Sequence, residues 1–96
     1  MTRLLWLPDA VRDLARLRDF LEPQNSLAAE RAASRILYAA ASLMETPEIG
    51  RVVEDAPSLR DLVVLFGAGA YILRYRIDTD AVVIARVWHS REDREH

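Results

Sequence analysis

Four arginines occupy positions where β-type segments ordinarily carry valine or isoleucine. Arg74 and Arg76 interrupt Tyr71-Ile72-Leu73-Arg74-Tyr75-Arg76-Ile77, Arg86 interrupts Val82-Val83-Ile84-Ala85-Arg86-Val87-Trp88-His89, and Arg60 precedes Leu62-Val63-Val64-Leu65. A guanidinium within a strand is tolerated when it reaches water or an anionic partner. Its planar fork fits carboxylate or phosphate. The chemistry on offer is therefore anion recognition. Other chemistry is thin. His89 and His96, even with Glu92 or Asp93 beside them, do not have the spacing of a metal site, and no metal or cofactor is expected. Gly67-Ala68-Gly69 lacks the strand-to-helix setting of a nucleotide loop and reads as a hairpin turn. No serine or threonine has the neighbours of a nucleophile.

The elements that must hold these arginines follow from periodicity. Residues 3–7 are β-compatible and end at Pro8, which suits the first turn of a helix. Val11, Leu14, Leu17 and Leu21, with Ala10 and Phe20 beside them, form a helical stripe. Arg12, Asp13, Arg16, Arg18 and Asp19 fill the solvated face, and Pro23 stops the helix. Asn25 and Ser26 cap a second helix that runs to about Met44 and buries Ala29, Ala32, Ala33, Ile36, Ala40, Leu43 and Met44, with Tyr38 as a packing residue. Residues 48–58 read as a loop. Three β segments follow, at about 59–66, 70–77 and 81–89, with loops too short for crossovers, so they are antiparallel. The order is β-α-α-β-β-β: an α+β fold in which a helical hairpin packs on one face of a small, mainly antiparallel sheet.

Register decides which side chains share a face. With three-residue turns at Gly67-Ala68-Gly69 and Asp78-Thr79-Asp80, Arg60 faces Arg76, Leu62 faces Arg74, Arg74 faces Ile84, and Arg86 faces Ile72. One face then gathers Arg60, Arg74, Arg76 and Arg86 with Leu62, Val64, Ile72, Ile84 and Trp88. The other holds Leu73, Tyr75, Ile77, Val83, Ala85 and Val87 under the helices, with His89 at its end. Like charges on adjacent strands repel. Such a cluster calls for an acidic, partly aliphatic partner segment, or for neutralisation within the chain by Asp61, Glu54 or Asp55. A two-residue turn at Thr79-Asp80 is the alternative, and it would push Arg86 among Leu73, Tyr75 and Trp88.

Composition sets the bounds. The chain has 96 residues, a net charge of -2, 51% hydrophobic residues and no cysteine, which is one domain spanning 1–96 with no disulfide framework. The charge argues against a strongly basic nucleic-acid binder. All 13 cations are arginine. No apolar run approaches the roughly 18–20 residues that span a bilayer. The start through Pro8 is too short for a signal peptide, so a cytoplasmic location is expected.

Several features taken in order resemble one family. They are Pro8-Asp9-Ala10 with Asp13-Leu14, Pro47…Gly50-Arg51, Arg60-x-Leu62-Val63-Val64, the Tyr71–Arg76 strand, and Val87-Trp88-His89. Together they resemble the RelE/ParE superfamily of toxins from type II toxin–antitoxin modules, over nearly the whole chain. The resemblance implies a cytoplasmic toxin held inactive by a cognate antitoxin whose acidic, aliphatic C-terminal segment covers the sheet. Arg60, Arg74, Arg76 and Arg86 would contact that segment, with Trp88 as an apolar anchor. It also implies one of two targets. ParE-like members poison DNA gyrase. RelE-like members are ribosome-dependent mRNA endoribonucleases, commonly with lysines on the first central strand and a C-terminal tyrosine. Here that strand reads Leu62-Val63-Val64-Leu65, and no tyrosine follows Tyr75, which favours the gyrase branch. In the ribonuclease alternative, Arg60, Arg76, His89 and Arg91 would supply cations and an acid or base. A degenerate toxin that retains only antitoxin binding is the third possibility.

Overall fold

A computed structural model describes residues 2–92. The elements are β1 (Arg3–Trp6), α1 (Pro8–Leu21), α2 (Ser26–Ser42), a 3-10 turn (Pro47–Ile49), β2 (Arg51–Val53), β3 (Ala56–Phe66), β4 (Gly69–Ile77) and β5 (Ala81–His89). The five strands form one sheet in the order β1-β5-β4-β3-β2, antiparallel except that β1 runs parallel to β5. The α+β architecture is as expected. The stretch read as a loop holds an additional turn and the short edge strand β2. No described helix is long and apolar enough to cross a membrane.

Helix α1 starts without a side-chain cap; Pro8 and Asp9 stand in its first turn. Asn25 caps α2, its side chain accepting from Ala28 N–H at 3.0 Å. The alanine stripe of α2 lies at the α1 contact, and Ala29, Ala32, Ala33, Ile36, Ala40 and Leu43 are buried. Beneath the two helices lie Val64 of β3, Tyr71, Leu73 and Tyr75 of β4, and Val82, Ile84 and Val87 of β5. Each fully buried side chain of this size contributes about 1.5–3 kcal/mol. Five residues depart from expectation. Val11, Phe20 (69%), Tyr38 (78%) and Met44 are exposed, whereas Asp13 is only 4% exposed.

Both hairpin registers differ from those expected. Phe66 pairs with Gly69, so the β3–β4 turn has two loop residues, and Arg60 lies opposite Tyr75, not Arg76. Gly67, at φ 58°, makes this tight turn possible. The one-residue slip carries Arg60 to the helix-covered face with Leu62 and Val64, and brings Asp61, Val63 and Leu65 to the open face. Between β4 and β5 the register shifts once. Tyr75 pairs with Ile84 and Arg74 with Arg86, which leaves Ala85 as the extra residue of a bulge. Ile84 and Val87 therefore both reach the core, while Val83 moves to the Arg76 side.

Candidate functional site

The open face carries paired arginines. Arg74 lies directly across from Asp61 and donates to both its oxygens, Nε–Oδ1 at 2.8 Å and Nη2–Oδ2 at 2.9 Å. Its guanidinium carbon sits 5.0 Å from the Trp88 ring centre, within cation–π range. Trp88 is 8% exposed, so it forms a platform for Arg74 and presents little surface of its own. Arg76 donates to Asp78 at 3.1 Å. The apolar surface on this side comes from Val63 and Leu65, both exposed, and from half-buried Ile72.

Arg86 and Arg60 are engaged elsewhere. Arg86 donates to Asp13 of α1, Nε–Oδ2 at 2.7 Å and Nη2–Oδ1 at 3.1 Å. Asp13 also accepts from Val87 N–H at 2.9 Å. After Leu7 N–H bonds to Ile84 O at 2.9 Å, the chain leaves the sheet to become α1. The Asp13 carboxylate thus continues along the β5 edge that β1 has stopped covering. Burial pushes this carboxyl up, but the bonds from Arg86 and Val87 outweigh it and hold the group below its ordinary value. Arg60 donates to Glu48 O at 3.0 Å and Gly50 O at 2.9 Å. Beside it, Tyr75 Oη donates to Pro47 O at 2.6 Å and accepts from Gly50 N–H at 2.9 Å. The two side chains clamp the 47–50 turn. The expected bare cluster of four arginines is therefore corrected. A one-residue slip removes Arg60, and Asp61, Asp78 and Asp13 neutralise the other three. Of the carboxylates proposed for neutralisation, Asp61 is the one seen doing it.

The residues named for RNA cleavage do not converge. His89 lies across from Tyr71 and Arg60 across from Tyr75, four positions apart on β4, or roughly 13 Å. Arg76 projects to the opposite face. His89 and Arg91 do stand together, with Arg91 N–H donating to His89 Nδ1 at 3.1 Å. Tyr71 meets the His89 ring edge-on at 5.1 Å, and burial followed by the Glu92 charge pushes the Tyr71 hydroxyl up. These residues close one end of a groove of about 750 Å³ between α1 and the β3–β4 hairpin, with Leu17, Phe20, Leu21 and Phe66 as its apolar lining. Arg16, expected on the solvated face, stands here and bonds to Glu92 at 2.5 Å. Among the described residues, no group of three metal-ligating side chains occurs; Asp93 and His96 lie outside them.

Sequence reasoning missed Asp13 and the groove. Positions 10, 13 and 17 share a helical face, so Ala10 and Leu17 already carried the signal that Asp13 is buried. The groove pairs Phe20 with Phe66 and had no local signal.

Comparison with known proteins supplies the relationship. The family model for the ParE toxin of the type II toxin–antitoxin system parDE matches residues 4–94. "Toxin RelE3" of Caulobacter vibrioides is 45% identical over 87 residues, covering 91% of this chain and 92% of the relative. "Toxin RelE2" of the same organism is 38% identical over 90 residues, covering 94% and 97%. A solved structure described as the chromosomal ParDE TA system from P. aeruginosa superposes with a TM-score of 0.79 at 22% identity, covering 93% of this chain and 96% of that one. At that identity the superposition speaks to the fold alone.

Proposed function

The chain belongs to the ParE toxin family and is the toxin component of a type II toxin–antitoxin system; from that premise we propose that it arrests growth in the cytoplasm by binding DNA gyrase. Non-convergence is the observation that carries this reading. Cleavage of RNA needs an acid or base and phosphate-binding cations within hydrogen-bond reach of one scissile bond. Arg60, Arg76 and His89 are instead divided between two faces and two ends of the sheet. A toxin that works by binding needs no such convergence.

The family implies a cognate antitoxin. Its acidic, aliphatic segment takes the open face of the sheet, where Arg74 lies over the Trp88 ring, Arg76 is half-exposed and Val63 and Leu65 are exposed further along. A partner carboxylate would have to compete with Asp61 and Asp78 for these guanidiniums. The contacts therefore select a partner more than they add affinity. Arg60 and Arg86 act through the fold, holding the 47–50 turn and α1 respectively.

The ribosome-dependent endoribonuclease is the second reading. It is favoured by the RelE names of the relatives and by His89 and Arg91 meeting at the groove end. Tightly controlled expression separates the two. Filamentation, SOS induction and accumulation of gyrase–DNA cleavage complexes are expected. Rapid loss of protein synthesis with mRNA cut at ribosomes would replace the gyrase reading with the nuclease. Absence of toxicity, with antitoxin binding intact, would leave a degenerate toxin.

A further inference from the structure

The groove on the helix side of the sheet has an apolar middle and a charged end. Phe20 stands 69% exposed along one wall, above buried Tyr71 and Leu17. An aromatic side chain left this open on an amphipathic helix, beside further apolar lining, marks a contact surface. At the charged end the chain supplies its own carboxylate. Glu92 Oε1 meets Arg16 Nη1 at 2.5 Å, across 76 positions of sequence. Arg16 is held from its other side by Asp13 Oδ1 and Val87 O, both at 3.4 Å. Its guanidinium therefore has protein contacts that do not depend on Glu92. Exposed Arg91 lines the same end. Asp13 is already committed to Arg86 and Val87, so displacing Glu92 leaves two guanidiniums facing the groove.

We infer that this groove receives an apolar peptide segment bearing a carboxylate, that the carboxylate takes the place of Glu92 on Arg16, and that Glu92 is a built-in competitor that weakens binding. This rests on the reading that an acidic, aliphatic antitoxin segment exists, and it gives that segment a second seat on the opposite side of the sheet. The apolar side chains pack on Phe20, Leu21 and Phe66. The acidic one sets the direction in which the segment lies.

Two probes test it. The first is the product of any small gene that adjoins this one, as the family's paired organisation leads us to expect, titrated against the full chain by calorimetry. The second is anilinonaphthalene sulfonate, an apolar aromatic anion whose binding requires no antitoxin. For both, Glu92→Gln is expected to tighten binding about fivefold, since it removes one partly exposed ionic competitor. Arg16→Gln and Phe20→Ser are each expected to weaken it about tenfold. The double variant Arg16→Gln/Glu92→Gln should bind like Arg16→Gln alone, because Glu92 acts only through Arg16. Circular dichroism checks that each variant is folded. Unchanged or weaker binding by folded Glu92→Gln, or a double variant that regains the gain, overturns the competitor. If the adjoining protein does not bind wild type at all, the antitoxin reading fails. The dye then still reports on the groove.

Discussion

Replacing Asp13 with alanine removes the side chain that closes the exposed part of the β5 edge. The carboxylate is 4% exposed and accepts from Val87 N–H at 2.9 Å and from Arg86 at 2.7 and 3.1 Å. Its loss strands the buried Val87 amide, whose bond to a charged group is worth about 1.5–3 kcal/mol. The Arg86 side chain is 40% exposed, so its released guanidinium rehydrates and adds only about 0–1 kcal/mol. The expected destabilisation is about 1.5–4 kcal/mol, which for a domain of this size lowers Tm by about 6–30 °C. Urea titration followed by far-UV circular dichroism measures it. Asp13→Asn keeps an acceptor for the amide and should lose roughly half as much. A pH series isolates the charge. The folded carboxyl lies below its ordinary value of 3.8, so between the two values the unfolded chain binds more protons. The stabilisation is complete above the ordinary value and is lost as pH falls through the folded one. The gap between wild type and Asp13→Asn should hold steady from neutral pH to about 5 and shrink below about 4. An alanine variant within about 0.5 kcal/mol of wild type, or an asparagine variant with the same acid slope, refutes the edge-closing role.

Three further outcomes follow from the turns. Tyr75→Phe leaves Gly50 N–H and Pro47 O without their partner and should cost about 1–3 kcal/mol, with faster hydrogen exchange at the Gly50 amide as the local readout. Gly50→Ala places a methyl 2.5 Å from Tyr75 Oη; it should cost about 1–3 kcal/mol, and less in a Tyr75→Phe background, as a double-mutant cycle would measure. Gly67→Val should cost about 1–2 kcal/mol, through backbone strain alone, because nothing lies within 4 Å of the added Cβ; Gly67→Asn should recover most of it in a thermal melt.

The two helices, four of the five strands and the helical core were legible because they rest on local periodicity. The stripe Ala29–Ala33–Ile36–Ala40 is buried as its spacing requires. Facing was not legible, because it depends on parity. Two loop residues at Gly67-Ala68 instead of three move Arg60 through the sheet. One bulged residue at Ala85 places Ile84 and Val87 on the same side. Neither event changes composition or periodicity enough to be read in advance. Asp13 shows the converse case. Its spacing put it on the buried stripe, but its charge argued for solvent, and a strand edge with an exposed amide outweighed that preference. The short strand β2 was hidden because Glu54, Asp55 and Pro57 give its surroundings the composition of a loop.

The parallel pairing of β1 with β5 has a consequence for synthesis. Residues 3–6 wait for residues 81–84 before their strand has a neighbour, and Asp13 waits for Arg86 and Val87. At about 5–20 residues per second, roughly 4–16 s of synthesis separates the two strands. Contacts of such long sequence separation are also the slowest to close. A nascent chain therefore lacks the completed surface until β5 has been made. The interval gives a partner that recognises unfinished portions an opportunity to arrive first.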